Sequence, residues 1–155
     1  MFNLFKKKRN EVASPMTGQV ILITEVEDAV FSSKAMGDGF AVKPSERNVY
    51  SPIKGKVTSI FPTKYAIGLV DEKGLDVLVH IGIDTVELAG NGFEITVQEG
   101  ANVDFDTQVA TVDLAYLKSK NKPTTTMVIW TNGAKATLAI KPGQYTAKTI
   151  IGEVK

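Results

Sequence analysis

Apolar positions occur in short runs along the chain, separated by Gly, Pro, Asn and Asp. The runs are rich in β-branched residues, with 17 Val, 12 Ile and 15 Thr against 9 Leu in the whole sequence. Branched side chains fit a pleated sheet better than a helix because their χ1 rotation is restricted. The pattern predicts strands at Gln19 to Thr24, Lys56 to Phe61, Asp76 to Ile81, Gln108 to Leu114, Thr126 to Thr131 and Lys148 to Val154.

Helical periodicity is weak throughout the chain. No window of about 15 residues keeps an apolar period of 3.6 residues. Only Asp28 to Lys34 and Ala115 to Asn121 have the spacing expected of short helices. The sequence therefore predicts an all-β protein, a sandwich or a barrel, with one or two short helices.

Two segments of the chain share four of their seven residues. Residues 14–20 read SPMTGQV and residues 51–57 read SPIKGKV. Each is a turn that opens into a strand, since Pro fixes φ and Gly supplies a left-handed position. Shorter echoes link GDGF at 37–40 with GNGF at 90–93. One interpretation is that a β-protein reuses its turns, and the other is that the chain contains a duplicated half.

Composition excludes several classes of chemistry. The length of 155 residues favours one domain. The chain has no cysteine and one histidine, which excludes disulfides, thiolate catalysis, Cys-based metal sites and a zinc peptidase site. Because 18 basic residues nearly balance 17 acidic ones, nucleic acid is not an expected partner. Neither glycine-rich nucleotide-binding fingerprint is present.

Basic residues concentrate near the start, at Lys6 to Arg9. The apolar stretch before them is too short for a signal peptide or a membrane span, so we expect a cytoplasmic protein. We predict a flexible basic tail over residues 1–12 and a single domain over residues 13–155. The alternative for the tail is a short helix that associates peripherally with the inner face of the membrane.

Candidate chemistry concentrates around His80, within DVLVHIGIDTVEL at residues 76–88. Alternation along a strand places Leu78 and His80 on one face and the intervening apolar side chains on the other. A lone histidine on a strand is commonly only a packing residue. Here it lies at a strand end, Gly82 permits close approach of a backbone or ligand, and an acid and a hydroxyl follow at Asp84 and Thr85.

With these residues the chain resembles the glucose-type enzyme IIA component of the bacterial phosphoenolpyruvate–sugar phosphotransferase system. The resemblance covers nearly the whole chain from about Ser14, and its blocks follow the family's order and spacing. They are VEDAVF at 26–31, MGDGFAVKP at 36–44, FPTKYAIG at 61–68, HIGIDTVEL at 80–88 and GNGFE at 90–94. The resemblance implies a compact antiparallel β-sandwich or barrel-sandwich hybrid with duplicated hairpins.

The function implied by the resemblance is a phosphoryl relay without a metal or cofactor. A histidine-phosphocarrier protein would donate a phosphoryl group to His80. The group would then pass to the cysteine of an enzyme IIB domain of a membrane sugar permease. A neutral imidazole is a suitable nucleophile, and the loose transition state makes positioning decisive. The expected protein is a monomer, with regulated transporters or enzymes as further partners.

The sequence departs from the family at the residue that faces this histidine. The family has a second histidine in a Thr-x-His-Ala motif, where this chain has Thr63, Lys64, Tyr65 and Ala66. A phenol can donate a hydrogen bond to a phosphoryl oxygen but cannot become cationic. The zinc site of some two-histidine family members is therefore not expected. We expect Thr63 either to bond the residue facing His80 or only to satisfy a turn.

Tyr65 itself permits three interpretations. It is a hydrogen-bond donor in the relay, an exposed aromatic residue without a role, or a substitution introduced to study the site. If it impairs onward transfer, the protein is instead a regulatory binding module of the same fold.

Further site residues follow from the resemblance. Asp38 and Asp84 match acidic positions that flank the family's site, and we expect them to meet arginine on the donor. Asp38, which lies between two glycines, is also a candidate for a turn-forming role, and the two roles are compatible. Together with Gly82, an apolar ring is expected to form the partner-binding surface: Val30, Phe31, Met36, Phe40, Phe61, Leu78 and Val86.

Overall fold

A computed structural model describes residues 10–131 and 136–155 of the protein. This part of the chain is built mainly from strands, as predicted. The helices are short, α1 at Ala29–Ser32 and α2 at Leu114–Ser119, and 3-10 turns lie at Ile23–Glu25 and Thr85–Leu88. The strands are β1 (Asn10–Ala13), β2 (Gly18–Leu22), β3 (Asp38–Pro44), β4 (Asn48–Tyr50), β5 (Gly55–Ile60), β6 (Ala66–Asp71), β7 (Asp76–Ile81), β8 (Phe93–Ile95), β9 (Asn102–Val103), β10 (Gln108–Val112), β11 (Thr126–Trp130), β12 (Leu138–Ile140), β13 (Gly143–Tyr145) and β14 (Ile150–Val154).

These strands form one large sheet and two small ones, and the recorded pairs are antiparallel. The large sheet has the order β13-β2-β3-β11-β7-β6-β5-β9, and the small ones are β1-β14-β12 and β4-β10-β8. The large sheet ends in two short edge strands and is not closed into a barrel. In the part of the chain described, no helix is long and apolar enough to cross a membrane.

The large sheet is apolar on both faces near its centre. One face covers the main core, in which Phe40, Val79, Val128 and Trp130 are fully buried. The opposite face carries a second group of buried side chains, here called the outer cluster: Ile21, Ile23, Val26, Phe31, Ala41, Ala66, Leu78, Ile83, Met127 and Ile129. Because side chains alternate along a strand, β7 sends Leu78 to this cluster and Val79 to the core, as predicted.

The two similar sequence segments form similar turns. Ser14 and Ser51 each donate a hydroxyl hydrogen bond to the carbonyl oxygen two residues further on, at 2.7 and 2.6 Å. The turns lead through Gly18 and Gly55 into the hairpins β2–β3 and β5–β6. At these glycines a Cβ atom would lie 2.2 and 1.8 Å from a carbonyl oxygen of the paired strand. The two similar segments therefore begin two hairpins through matching turns, as the predicted fold has them.

Strand β1 shows that residues 10–12, the last part of the predicted tail, pack on the domain. Its first three residues fall within the tail expected over residues 1–12, but they pair with β14 from Asn10 onward. Val12 is fully buried, and the Asn10 side-chain amide donates to the Asp71 carboxylate at 2.6 Å. Burial and hydrogen bonding therefore hold this segment on the domain. Residues 1–9 of the predicted tail lie outside the described residues.

Candidate functional site

His80 lies on the outer-cluster face of the large sheet, near the end of the central strand β7. Its neighbours in the sheet register are Ala66 on β6 and Met127 on β11. Both neighbours are fully buried, and Ala41 on β3 follows Met127 in the same row. His80 is half-buried: these apolar neighbours flank it within the sheet, and part of its surface is open to solvent.

The backbone turn after β7 holds the imidazole. His80 Nδ1 lies 2.8 Å from the carbonyl oxygen of Gly82. Since a carbonyl only accepts, Nδ1 carries the proton and donates, which leaves the electron pair free on Nε2. Gly82 has φ +76°, and a Cβ atom there would lie 2.4 Å from Thr85 Cγ2. The turn that presents this carbonyl therefore requires glycine.

Two further hydrogen bonds fix the same turn. The Thr85 hydroxyl donates to the carbonyl oxygen of Ile81, and the Ile83 N–H donates to the carbonyl oxygen of Pro123 at 3.1 Å. Thr85 is fully buried, so its hydroxyl serves the turn and does not face a ligand. These bonds hold the Gly82 carbonyl in position for the imidazole.

Aromatic rings contact the imidazole on two sides. The centroids of the Phe31 and Tyr65 rings each lie 5.0 Å from that of His80, at interplanar angles of 65° and 68°. Edge-to-face contacts of this kind are favourable and restrict the orientation of the ring. Phe61 packs edge-on against Tyr65 in turn, with centroids 5.5 Å apart. Tyr65 is thus part of the site and not an isolated surface residue.

Burial lowers the pKa of His80 below the ordinary value of 6.5, because the imidazolium loses contact with water. The hydrogen bond to Gly82 and the charges of Asp28 and Asp84 raise this pKa, but they do not cancel the effect of burial. The imidazole is therefore neutral at about pH 7, the form in which Nε2 is a nucleophile.

Thr63 and Tyr65 lie in the turn between β5 and β6. Lys64 between them has φ 62°, and its N–H donates to the carbonyl oxygen of Phe61 at 2.8 Å. The Tyr65 carbonyl accepts from the Ile81 N–H at 2.7 Å, which joins the turn to β7. No hydrogen bond links the Thr63 side chain to Tyr65, which leaves Thr63 as a half-buried turn residue. Within the described ranges the Tyr65 hydroxyl has no hydrogen-bond partner, so it can donate to a group from outside.

The two predicted acids have different surroundings. Asp84 is exposed beside the site, and its charge acts on the imidazole. Asp38 begins β3 opposite Trp130, so strand alternation turns its side chain away from the face of His80. Its carboxylate accepts from the Gly39 N–H at 2.8 Å and lies 3.5 Å from Lys34 Nζ. The structure thus supports the local structural role for Asp38.

The other acid near the imidazole is Asp28, which the sequence analysis did not select. Its carboxylate accepts from the Val30 N–H at 2.9 Å and caps α1, while its charge acts on His80. An aspartate directly before a short helical segment is a recognisable N-cap signal. The sequence therefore indicated the cap, but not its proximity to a histidine 52 positions away.

Most of the predicted apolar ring lies around the outer cluster. Phe31 and Leu78 belong to the cluster, and Met36 and Phe61 pack against it. Two other residues of the ring are substantially exposed. Val30, on α1, is 53% exposed, and Val86, on the 3-10 turn after β7, is 48% exposed. The two valines lie next to the segments that contact the imidazole through Phe31 and Gly82, where exposed apolar side chains suit a protein-docking surface.

The prediction of Phe40 as part of the apolar ring is wrong. It is fully buried in the main core, with its ring centroid 6.3 Å from that of Trp130. Successive side chains of β3 point to opposite faces, so Ala41, and not Phe40, shares the face of His80.

In the part of the chain that the structure describes, no group of three or more His, Cys, Asp or Glu residues is placed to hold a metal ion.

The sequence profile of one protein family matches residues 10–136. That family is described as phosphoenolpyruvate-dependent sugar phosphotransferase system, EIIA 1. The chain belongs to this family. The resemblance to an enzyme IIA component, based on the short sequence blocks, is therefore confirmed over these residues.

Two similar proteins show how far this relationship extends. The PTS system glucose-specific EIICBA component of Streptococcus pneumoniae is 46% identical over 153 residues, which is 97% of the EIIA chain. The chain spans only 21% of the length of that relative. The solved structure of glucose permease IIA from Mycoplasma capricolum has a TM-score of 0.87 and 36% identity, covering 96% of this chain and 97% of that one. The fold is therefore the EIIA fold.

Proposed function

We propose that the protein is a phosphocarrier of sugar uptake, in which His80 receives a phosphoryl group and passes it on. The proposed donor is a histidine-phosphocarrier protein, and the proposed acceptor is the cysteine of an enzyme IIB domain of a membrane permease. One observation supports this proposal above the others. The Nδ1 atom of a neutral imidazole donates to the Gly82 carbonyl oxygen, which leaves the electron pair of Nε2 free for attack.

The chemistry of acceptance follows from this arrangement. The electron pair of Nε2 forms the new N–P bond as the N–P bond of the donor breaks, and that bond's electrons return to the donor nitrogen. During attack the ring gains positive charge, which the Gly82 carbonyl oxygen stabilises through the Nδ1 proton. Onward transfer reverses these roles, because a thiolate of enzyme IIB attacks phosphorus and the electrons return to Nε2. Both steps depend mainly on positioning and charge.

Tyr65 has a proposed role as a hydrogen-bond donor to the phosphoryl group. Its ring contacts the imidazole, and its hydroxyl has no hydrogen-bond partner in residues 10–131 and 136–155. Because a phenol donates without becoming cationic, it would stabilise the phosphoryl oxygens by one hydrogen bond only. Thr63 lies in the turn that carries Tyr65.

The docking surface of the proposal consists of exposed apolar side chains with acids beside them. Val30 and Val86 provide the exposed apolar contacts on two different segments. Asp28 and Asp84 contribute negative charge close to the imidazole. A basic partner surface would complement these charges, which favours fast association and correct orientation more than tight binding. Such weak docking suits a monomer that must release each of two partners.

The decisive experiment incubates the protein with labelled phosphoenolpyruvate and the two upstream carriers, and then adds an enzyme IIB domain. We expect one label per chain, stable in alkali and lost in acid, which leaves the protein when enzyme IIB is added. His80→Ala should remove the label while its thermal melting stays cooperative. Persistent label on His80→Ala would contradict the assignment. Label on His80 that never moves to enzyme IIB would instead favour a regulatory binding module.

A further inference from the structure

Helix α1, which carries Phe31, is too short to keep its position alone. It has four residues, and a single helical turn is unstable in water because nucleation is unfavourable. Asp28 caps the helix by accepting from the Val30 N–H at 2.9 Å. A cap stabilises the turn itself but does not fix where the turn lies on the sheet. Phe31 is 6% exposed, packs in the outer cluster and contacts His80. Because such apolar contacts are not directional, a directional contact can add to the placement of the helix.

A hydrogen bond from a distant part of the chain supplies such a contact. The Thr125 hydroxyl donates to the carboxylate of Glu27, the residue before the cap, although the two residues are 98 positions apart. Thr125 is 4% exposed and directly precedes Thr126, which pairs with Ile81 on the strand of His80. The donor is therefore fixed to the centre of the sheet.

The loop that carries Thr125 also supports the turn after His80. The carbonyl oxygen of Pro123 accepts from the Ile83 N–H at 3.1 Å. Lys122 Nζ contacts the Glu87 carboxylate at 2.6 Å. Residues 122–125 thus contact both segments that orient the imidazole, the turn that supplies the Gly82 carbonyl and the helix that supplies Phe31.

We propose that Thr125 and Glu27 are positioning residues whose hydrogen bond holds α1 on the sheet, so that Phe31 packs against His80 and limits the access of water to the imidazole. The inference rests on the proposed role of His80 as the phosphoryl carrier. In the phosphorylated protein the same contact shields the N–P bond from water. Loss of the hydrogen bond should therefore expose the free imidazole to solvent and shorten the lifetime of the phosphohistidine.

The test compares substitutions that remove or retain one hydroxyl. Thr125→Val removes it at nearly constant volume, and Thr125→Ser retains it. Thr124→Val is the matched control, because the Thr124 hydroxyl has no hydrogen-bond partner within the described ranges. Since the chain has one histidine, an NMR titration reports on His80 alone.

We expect Thr125→Val to raise the pKa of His80 by about half a unit toward its ordinary value, because burial decreases. Hydrolysis of the phosphorylated protein should become about twofold faster or more, as water reaches the N–P bond more easily. Thr125→Ser and Thr124→Val should both behave as the unsubstituted protein. The carboxylates Asp28 and Asp84 are the charges facing His80, and all these variants retain them.

Variants of the acceptor make the test independent of one substitution. Glu27→Gln keeps an acceptor oxygen and should behave as the unsubstituted protein, whereas Glu27→Ala should match Thr125→Val. An unchanged pKa in both Thr125→Val and Glu27→Ala would overturn the proposal, as would equal shifts in Thr124→Val and Thr125→Val. A shifted pKa with unchanged hydrolysis would overturn the shielding of the N–P bond. If the protein accepts no phosphoryl group, the proposed function fails, while the titration still decides the positioning role.

Discussion

The ring of Tyr65 meets the imidazole of His80 edge-on, with their centroids 5.0 Å apart. In the family motif a second histidine stands at this position. The tyrosine keeps an aromatic contact that orients the imidazole, and its hydroxyl adds one hydrogen-bond donor. Unlike a histidine, the tyrosine cannot become positively charged next to the proposed phosphoryl group.

Removal of the hydroxyl tests whether it acts in the reaction. We expect Tyr65→Phe to slow phosphoryl transfer by roughly ten- to hundredfold if the hydrogen bond forms only in the transition state, since a bond to a charged group contributes about 1.5–3 kcal/mol. The loss should be smaller if the bond already exists in the resting phosphoprotein. Rapid-quench measurement of acceptance and onward transfer distinguishes these cases.

Tyr65→His is the complementary substitution. It should speed onward transfer to enzyme IIB more than acceptance, because the new imidazole can become cationic as the phosphoryl group leaves. It should also create a zinc site with His80, seen as a rise of the melting temperature when zinc is added. Equal rates for Tyr65→Phe, Tyr65→His and the unsubstituted protein in both half-reactions would show that Tyr65 has no role in transfer.

A Cβ atom at Gly82 should destabilise the turn that holds the imidazole. Gly82→Ala combines a left-handed φ with overlap on Thr85. Backbone strain alone costs about 1–3 kcal/mol, so we expect the free energy of unfolding to decrease by more than this amount. Gly74→Ala is the matched control, because Gly74 has φ +82° with nothing within 4 Å of the added atom. Urea unfolding gives both losses, and equal values would contradict the expectation.

Charge reversal near the imidazole should slow docking of a basic donor. We expect Asp84→Lys to reduce the rate of phosphoryl acceptance more than Asp38→Lys, because only Asp84 is exposed and acts on His80. The difference should increase at low salt, where charges are less screened. Asp106→Lys, on an exposed residue after β9, is the control that should leave the rate unchanged. Equal, salt-independent rates for Asp84→Lys and the control would refute a docking role.

The lowered pKa of His80 predicts a loss of stability in acid. As pH falls, the unfolded chain binds a proton first, near pH 6.5, while the folded protein binds it only at lower pH. The free energy of unfolding should therefore decrease between these two pKa values and stay reduced below the folded one. Urea unfolding at about pH 7.5 and pH 5.5 gives the free energy of unfolding of the unsubstituted protein and of His80→Gln. The difference between the two proteins at each pH is the contribution of His80. A difference that does not decrease toward acid pH would contradict the burial of a neutral imidazole.

The alternation of side chains was the most reliable guide to the site. It placed Leu78 with His80 and Val79 in the core, because a strand leaves only two choices for each side chain. The same rule would have excluded Phe40 from the apolar ring around His80. Its use on β3, however, required the knowledge that Ala41 pairs with Met127. That register depends on pairing between distant strands, which no local pattern specifies.

Long-range side-chain contacts were beyond prediction for a similar reason. The hydrogen bond between Thr125 and Glu27 joins residues 98 positions apart, and neither residue type is unusual in a loop. Residues 10–12 belong to the domain because they pair with the last strand, a contact that the basic sequence before them did not indicate. The tight turn at Gly82, in contrast, was indicated directly by the glycine after the strand.

The central place of β7 and β11 in the large sheet has a consequence for the kinetics of local opening. Three strands lie on either side of this pair, so fraying that begins at β13 or β9 must break several ladders before it reaches His80. Backbone amides of β7 should therefore exchange with deuterated solvent only through global unfolding, whereas the α1 segment should exchange by small local openings. The nucleophile would then remain fixed through repeated encounters with partners, and adaptation to different partner surfaces would come from the flanking segments.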